Sequence, residues 1–396
     1  MNITWKSLAW RTGFSASLFY IFFFSVTAFQ LFNMTDWLGT RGVDPATAGR
    51  LQGSADLFFV VGILLAGLLA DWQGFNRRLY LVYFCIAVLG YIFLGLTAQT
   101  WALGVALALI SFAFIPLTNL VDAHLQPYVS RDLIPYARVR ALGSISFTLI
   151  ILFTATLSEE RIMMLFYPVI AFFVLAVGFS LAALPPQPRH IPAPILEKFF
   201  TFGRLLSQPR FIAFYAIIML IHGSHGAYYI YAVPIWREWG FGSGQIYSLI
   251  GWGVVAEIIF FLIAPKALTD SKAAPLLALC SIAAITRWLM WPHVDGWVGL
   301  IFVQSLHVLT FALTHLISLA FLRRRVPEAE LGAAQALMPA ISVGIGMGSA
   351  KLLAAQYIGE SQVTPFVAMA LMVALSLPLC LVLHKLSGVR TESIST

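Results

Sequence analysis

Charge is what this sequence has least of. Only 10% of its 396 residues are Asp, Glu, Lys or Arg, against about 25% in an ordinary soluble chain, which excludes a conventional water-soluble domain. Cysteine is scarcer still. Cys85, Cys280 and Cys380 lie far apart, each within an apolar segment, so a disulfide framework and a zinc site are excluded and buried thiols are expected. Metal-ligand spacings and nucleophile motifs are missing as well, and with them the catalytic set an enzyme needs. The GIGMG stretch at 344–348 sits inside an apolar run with no strand before it, which excludes a nucleotide-binding loop. The net charge of +7 is spread over short loops rather than gathered into one patch or arm, so no nucleic-acid partner is expected. The first apolar segment is long and has no small-residue cleavage site, and no cleavable signal peptide is expected.

Apolar residues fill the space that charge leaves. They make up 60% of the chain, and the mean hydropathy is +0.87. About twelve apolar runs of roughly 20 residues are each long enough to cross a bilayer as a helix. The longest polar interruption, 184–209, contains PPQP, PAP, Arg189, Lys198 and Arg204 and divides the runs six and six. The expectation is an all-α integral membrane protein of twelve transmembrane helices in two pseudo-symmetric six-helix bundles. Residues 1–184 form the first, 185–209 a cytoplasmic central loop and 210–396 the second, with a site between the bundles. Of the basic residues flanking the runs, only Arg41, Arg50, Arg161 and Arg237 fall on the side opposite the amino terminus. That bias predicts both termini in the cytoplasm of a bacterial-type inner membrane.

Three consecutive runs in the second half each carry an ionisable residue near the middle: Glu257, Arg287 and His307. A charge at membrane depth costs at least roughly 2.5–3.5 kcal/mol, so such residues mark ion and substrate paths. Acid, base and imidazole together can neutralise one another and pass a proton. That combination points to a secondary transporter coupled to an ion, with protons as the coupling ion and no cofactor.

In the first half, Gly67-x-x-x-Asp71-x-x-Gly74-x-x-Arg77-Arg78 occupies the turn between the second and third runs. Its spacing resembles the signature loop of the major facilitator superfamily, and APKALTDSK, with Lys266, Asp270 and Lys272, is a degraded echo in the second half. Asp122 and Arg140 lie at the ends of two helices that a short loop would hold antiparallel. With Phe147 about two turns beyond Arg140, they resemble the acid–arginine–aromatic substrate set of the lactose permease group, and Glu257, Arg287 and His307 resemble that group's proton and substrate residues. Phe147 stands where that group has a sugar-stacking tryptophan, and Thr310 where it has a further carboxylate. Across the chain, PLT…D, RVR, HGSHGAYY, GWGVVAEIIF, TRWLM and VQSLHVLTF…TH resemble the phenylpropionate (cinnamate) permease branch of the superfamily.

That resemblance implies a proton symporter importing a small aromatic monocarboxylate. Its expected proton-coupling residues are Glu257, Arg287, His307 and Asp122. Substrate is expected to meet Asp122, Arg140, Phe147, His225, Tyr228, Tyr229, Trp252, Arg287 and His307. A sugar or nucleoside symporter, an exporter and a sensor of the same superfamily remain open. The expected partners are the small-molecule substrate and membrane lipid, with the chain acting as a monomer. Several residues also have plain packing roles open to them. His222 and His225 can simply join packed helices, Trp236 and Trp239 can form an interfacial belt, and His315 reads as a satisfied core histidine. Lys351 reads as a snorkelling side chain, and Trp252 and Glu257 fall on different helix faces.

Overall fold

The computed structural model describes residues 5–73, 77–185, 195–263, 273–294 and 296–388, and among them every regular element is helical. Twelve helical segments are long and apolar enough to cross a membrane. Numbered in chain order, spans one to six are Lys6–Gly39, Pro45–Ala70, Arg77–Leu96, Thr100–Val129, Tyr136–Ala155 and Glu159–Ala183. Spans seven to twelve are Pro209–Glu238, Ser243–Ile263, Ala273–His293, Trp297–Arg325, Glu330–Tyr357 and Thr364–Leu386. Helices are what lipid demands, because a backbone without water must satisfy its own polar groups. Polar side chains within the spans follow the same rule. Thr12, Ser25 and Thr27 turn their hydroxyls back onto the carbonyls of Leu8, Ile21 and Phe23, one turn earlier.

The chain divides into two compact units. Unit 1 comprises Met1–Ile195 with Tyr229–Gly251, and unit 2 comprises Leu196–Tyr228 with Trp252–Thr396. Residues 229–251 therefore pack in unit 1, although they belong to the second half of the sequence. The Tyr231 hydroxyl donates to the Pro45 carbonyl at 3.1 Å and that of Tyr247 to Asn33. Elsewhere in unit 1, Ser146 of span five donates to the Ile21 carbonyl of span one at 3.0 Å, and Phe23 stacks on Phe114 of span four at 4.6 Å. Spans one and seven end alike. Gly42 and Gly240 adopt φ of 80° and 86°, and the next residue in each case reaches back to Leu38 or Trp236 to close the helix. Left-handed backbone is cheap only for glycine, which is why both turns use it.

In unit 2, helices depart from regularity where the chemistry lies. Span seven is two helices, Pro209–Gly223 and His225–Glu238, that meet at Ser224. Spans ten and eleven contain π-helical stretches, Val308–Leu313 and Ala340–Met347. Spans seven and eleven touch backbone to backbone there: a Cβ on Gly223 would stand 2.7 Å from the Gly346 carbonyl carbon, and one on Gly226 2.8 Å from the Met347 carbonyl oxygen. The GIGMG stretch is thus half of a helix crossing that only small residues allow. The central interruption holds an element that the sequence reading did not anticipate, the helix Ile195–Ser207, with Leu205 buried, Phe200 exposed and Arg204 paired to Glu330. Two other expectations are corrected. Trp236 is fully buried rather than interfacial, and His315 is exposed rather than in the core.

The helix crossing predicts that Gly223→Ala lowers the melting temperature of the purified protein, because overpacking against backbone costs about 1–3 kcal/mol. Gly67→Ala, inside a helix with nothing within 4 Å of its would-be Cβ, is expected not to lower it and to raise it slightly. Equal melting temperatures for the two variants would contradict the crossing.

Candidate functional site

Arg287 is the centre of unit 2. It is 1% exposed, and a guanidinium so placed needs acceptors for its N–H groups. Span ten supplies three, spaced to fall on one helix face. Gln304 Oε1 accepts from Nη2 at 3.3 Å, and His307 Nδ1 and Thr310 Oγ1 from Nη1 at 3.1 and 3.2 Å. The π-helical turn begins directly after His307. Its wider winding is visible at Thr314, whose hydroxyl donates to Leu309, five residues back. Two aromatic faces complete the cradle, with the guanidinium carbon 4.6 Å from the Trp288 ring centre and 5.0 Å from that of Tyr228. Gln304 fixes Tyr228 in turn by donating to its hydroxyl at 2.7 Å.

These contacts settle the protonation of the imidazole. Arginine only donates, so the Nδ1 that faces it must be a lone pair. His307 is then neutral with its proton on Nε2, which points at Glu257 Oε2, 3.4 Å away. The order is therefore arginine, imidazole, carboxylate, with the histidine between the two charges. A second relay branches from it. His225 Nδ1 faces the carbonyls of Ile221 and His222 at 3.2 Å and must carry the proton, leaving Nε2 to accept from Thr310 at 3.1 Å. Thr310, where the lactose permease group has a carboxylate, is a neutral joint between Arg287 and His225. His222 reaches the Phe311 carbonyl at 3.4 Å.

Other sequence-predicted residues sit further out. Trp252 is 41% exposed and ties span eight to span ten through its indole N–H and Ser305 Oγ, 2.8 Å apart. Tyr229 belongs to unit 1, where its ring meets Phe32 edge-on at 5.7 Å. Lys351 is buried, its stem 3.2 Å from a would-be Gly226 Cβ. In the loop motif, Gly67 and Asp71 lie within the helix ending span two, and Arg77 and Arg78 open span three, exposed. Gly74, Lys266, Asp270 and Lys272 lie outside the described residues.

Unit 1 has its own partly buried acid. Tyr20 and Tyr136 both donate to Asp122 Oδ1, Tyr136 at 2.9 Å. The Arg140 guanidinium lies 4.3 Å from the Phe24 ring centre and 5.3 Å from that of Tyr20. Phe147 is half-buried on the same helix. A second ionic group joins three spans: Arg237 of span seven pairs with Asp36 of span one, and with Glu159 of span six at 3.2 Å. Sequence reasoning missed Gln304, Tyr20, Tyr136 and Asp36. Asp36 alone left a signal, an acid near the end of span one facing a base near the end of the equivalent span seven.

Twelve membrane-length apolar helices among the described residues, together with the family match across the chain, define a multi-pass membrane transporter of the major facilitator class, not an enzyme. The chain belongs to the MFS_1 like family, whose profile matches residues 14–368. It is 26% identical over 353 residues to a protein of Escherichia coli (strain K12) described as "Probable 3-phenylpropionic acid transporter", covering 86% of this chain and 90% of that one. Among solved structures it resembles the nucleoside transporter NupG, with a TM-score of 0.75 at 17% identity, covering 95% of this chain and 99% of that one. A D-xylose-proton symporter gives 0.69 at 13% identity, covering 94% and 97%. These two share the fold.

The ionic group of unit 1 yields a prediction. Arg237→Gln leaves Asp36 partly buried without its partner and is expected to destabilise the protein by about 2–4 kcal/mol, whereas Asp36→Asn leaves Arg237 its pairing with Glu159 and is expected to cost less. The double variant is expected to recover most of that loss in thermal melting. Simple additivity of the two losses would show that the pair is not coupled.

Proposed function

We propose that this chain is a proton-coupled symporter that imports a small aromatic monocarboxylate across a bacterial cytoplasmic membrane, with both termini inside. The observation that carries this reading is Arg287, a buried cation on two aromatic rings with neutral acceptors at 3.1–3.3 Å. A ligand carboxylate displaces such acceptors readily, because a charge-assisted pair is roughly twice as strong as a neutral hydrogen bond. The apolar ligand body then has aromatic walls in Tyr228 and Trp288, and on this reading also Trp252 of the same unit. The name of the Escherichia coli relative supports the same cargo class.

Coupling follows from the order of the chain of contacts. Ionised Glu257 accepts the Nε2 proton of His307 and holds the ring with its Nδ1 lone pair toward Arg287. When Glu257 is protonated, that hold is lost, Arg287 loses an acceptor, and it is free to take the cargo carboxylate. Release of the proton restores the internal acceptor, which competes the cargo off. Proton and cargo thus favour each other's binding, a linkage that runs equally in both directions. His307 suits this position because its two ring nitrogens face the two charges, Nδ1 accepting from Arg287 and Nε2 turned to Glu257. Asp122 is the second carboxyl proposed for coupling, and Arg140 the second group proposed to hold the cargo anion.

Glu257→Gln is expected to abolish accumulation of 3-phenylpropionate against a gradient in membrane vesicles, while binding and counterflow exchange persist. His307→Ala is expected to reduce both moderately. Accumulation by Glu257→Gln would move the proton site elsewhere, with Asp122 next. Saturable uptake of a nucleoside or xylose, unaffected by Arg287→Gln, would replace the cargo reading altogether.

A further inference from the structure

From Leu196 onward unit 2 holds a helix outside the twelve spans. Ile195–Ser207 stops just before Pro209, where span seven begins, so its last turn sits beside the end of a membrane span. One side of it is held by protein. Thr201 and Leu205, one turn apart, are buried, and Arg204 donates from Nη2 to Glu330 at the start of span eleven. The other side is not. Phe200 is 68% exposed and Leu206 40%, with exposed Gly203 between them. At intervals of three these residues form one strip along the helix, and Arg204 stands on its margin, its side chain 58% exposed despite the ion pair.

Basic residues gather at the same end of unit 2. Phe211 and Phe214 near the start of span seven meet Phe321 near the end of span ten, with ring centres 6.0 and 4.4 Å apart. The residues around this contact, 200–214 and 321–330, include five arginines, 204, 210, 323, 324 and 325, and only two acids, Glu328 and Glu330. Arg323 and Arg324 are exposed. A helix with an apolar strip and a basic margin is built to lie in the boundary between headgroups and acyl chains, where apolar burial and attraction to anionic lipid add. The fork of a guanidinium suits phosphate in particular.

We propose that helix Ile195–Ser207 is a membrane-surface helix: Phe200 and Leu206 enter the acyl-chain boundary, and Arg204, Arg323 and Arg324 hold the phosphates of anionic phospholipid. The place of the helix favours a bilayer as the cover for its strip, because the start of a span is where headgroups lie. The excess of arginine over acid selects anionic lipid. Glu330 keeps the helix seated on unit 2 while the rest of the Arg204 guanidinium faces outward. None of this depends on which cargo the chain carries.

The test uses the full-length chain with exposed Cys85 replaced by serine, since Cys280 and Cys380 are buried. Spin labels on Phe200→Cys and Leu206→Cys are read in vesicles of equal parts phosphatidylcholine and phosphatidylglycerol. Collisions with oxygen are expected to exceed those with a water-soluble nickel chelate at both positions, and the reverse order overturns the proposal. In a second arm, native mass spectrometry of the detergent-solubilised chain measures its affinity for phosphatidylglycerol. Arg204→Gln and Arg323→Gln are each expected to lower it about fivefold, with phosphatidylcholine unaffected. Arg323→Gln leaves the Arg204–Glu330 pair intact, so a loss there does not come from unseating the helix. Equal affinity in wild type and both variants overturns the headgroup assignment. Shielding of position 200 that appears in detergent without lipid and grows with protein concentration would mean that a second copy covers the strip, and overturns the proposal as well.

Discussion

A guanidinium at membrane depth is the constraint on which unit 2 depends. A charge there costs at least about 2.5–3.5 kcal/mol on insertion scales, and more where nothing compensates it. Arg287 is therefore met by span ten at three positions, Gln304, His307 and Thr310, and by the faces of Trp288 and Tyr228. Each of these needs a partner of its own. Gln304 donates to Tyr228, Thr310 meets His225, His307 meets Glu257, and the Trp288 indole donates to Ser224 at 2.8 Å. One charge thus organises parts of spans seven, eight, nine and ten.

The irregular helices are consequences of that organisation. Span seven is interrupted at Ser224, the residue that receives the Trp288 indole. Span ten widens into a π-turn immediately after the histidine that faces both Arg287 and Glu257. The contact of Gly223 with Gly346 lets spans seven and eleven approach closely enough to carry the two histidines of HGSHG into the same buried layer. Such departures from regular winding cost stability, and π-turns are found mostly where a functional side chain must be aimed.

Much of the fold was legible in the sequence, because a long apolar run has one way to satisfy its backbone in lipid. The ionisable residues were legible for the same reason: Glu257, Arg287 and His307 stand out against apolar surroundings. Apart from Asp36, what escaped notice was neutral. Gln304, Tyr20 and Tyr136 carry no charge, and tyrosines are common in membrane proteins, so nothing in spacing alone singled them out. The order of contacts was also hidden. Spacing along three helices placed acid, base and imidazole at similar depth, but only side-chain geometry puts the histidine between the other two. Helix Ile195–Ser207 was obscured by the Pro-rich stretch beside it. The packing of residues 229–251 in unit 1 was not readable from hydropathy, which reports the length of a span and not its neighbours.

The central claim is that a proton on the Glu257–His307 pair and an anion on Arg287 bind as one event. The most direct measurement is the proton uptake that accompanies binding of 3-phenylpropionate to the purified protein in weakly buffered solution near neutral pH. The account predicts that close to one proton is taken up for each anion bound. Anion binding with no change in bound protons would contradict it.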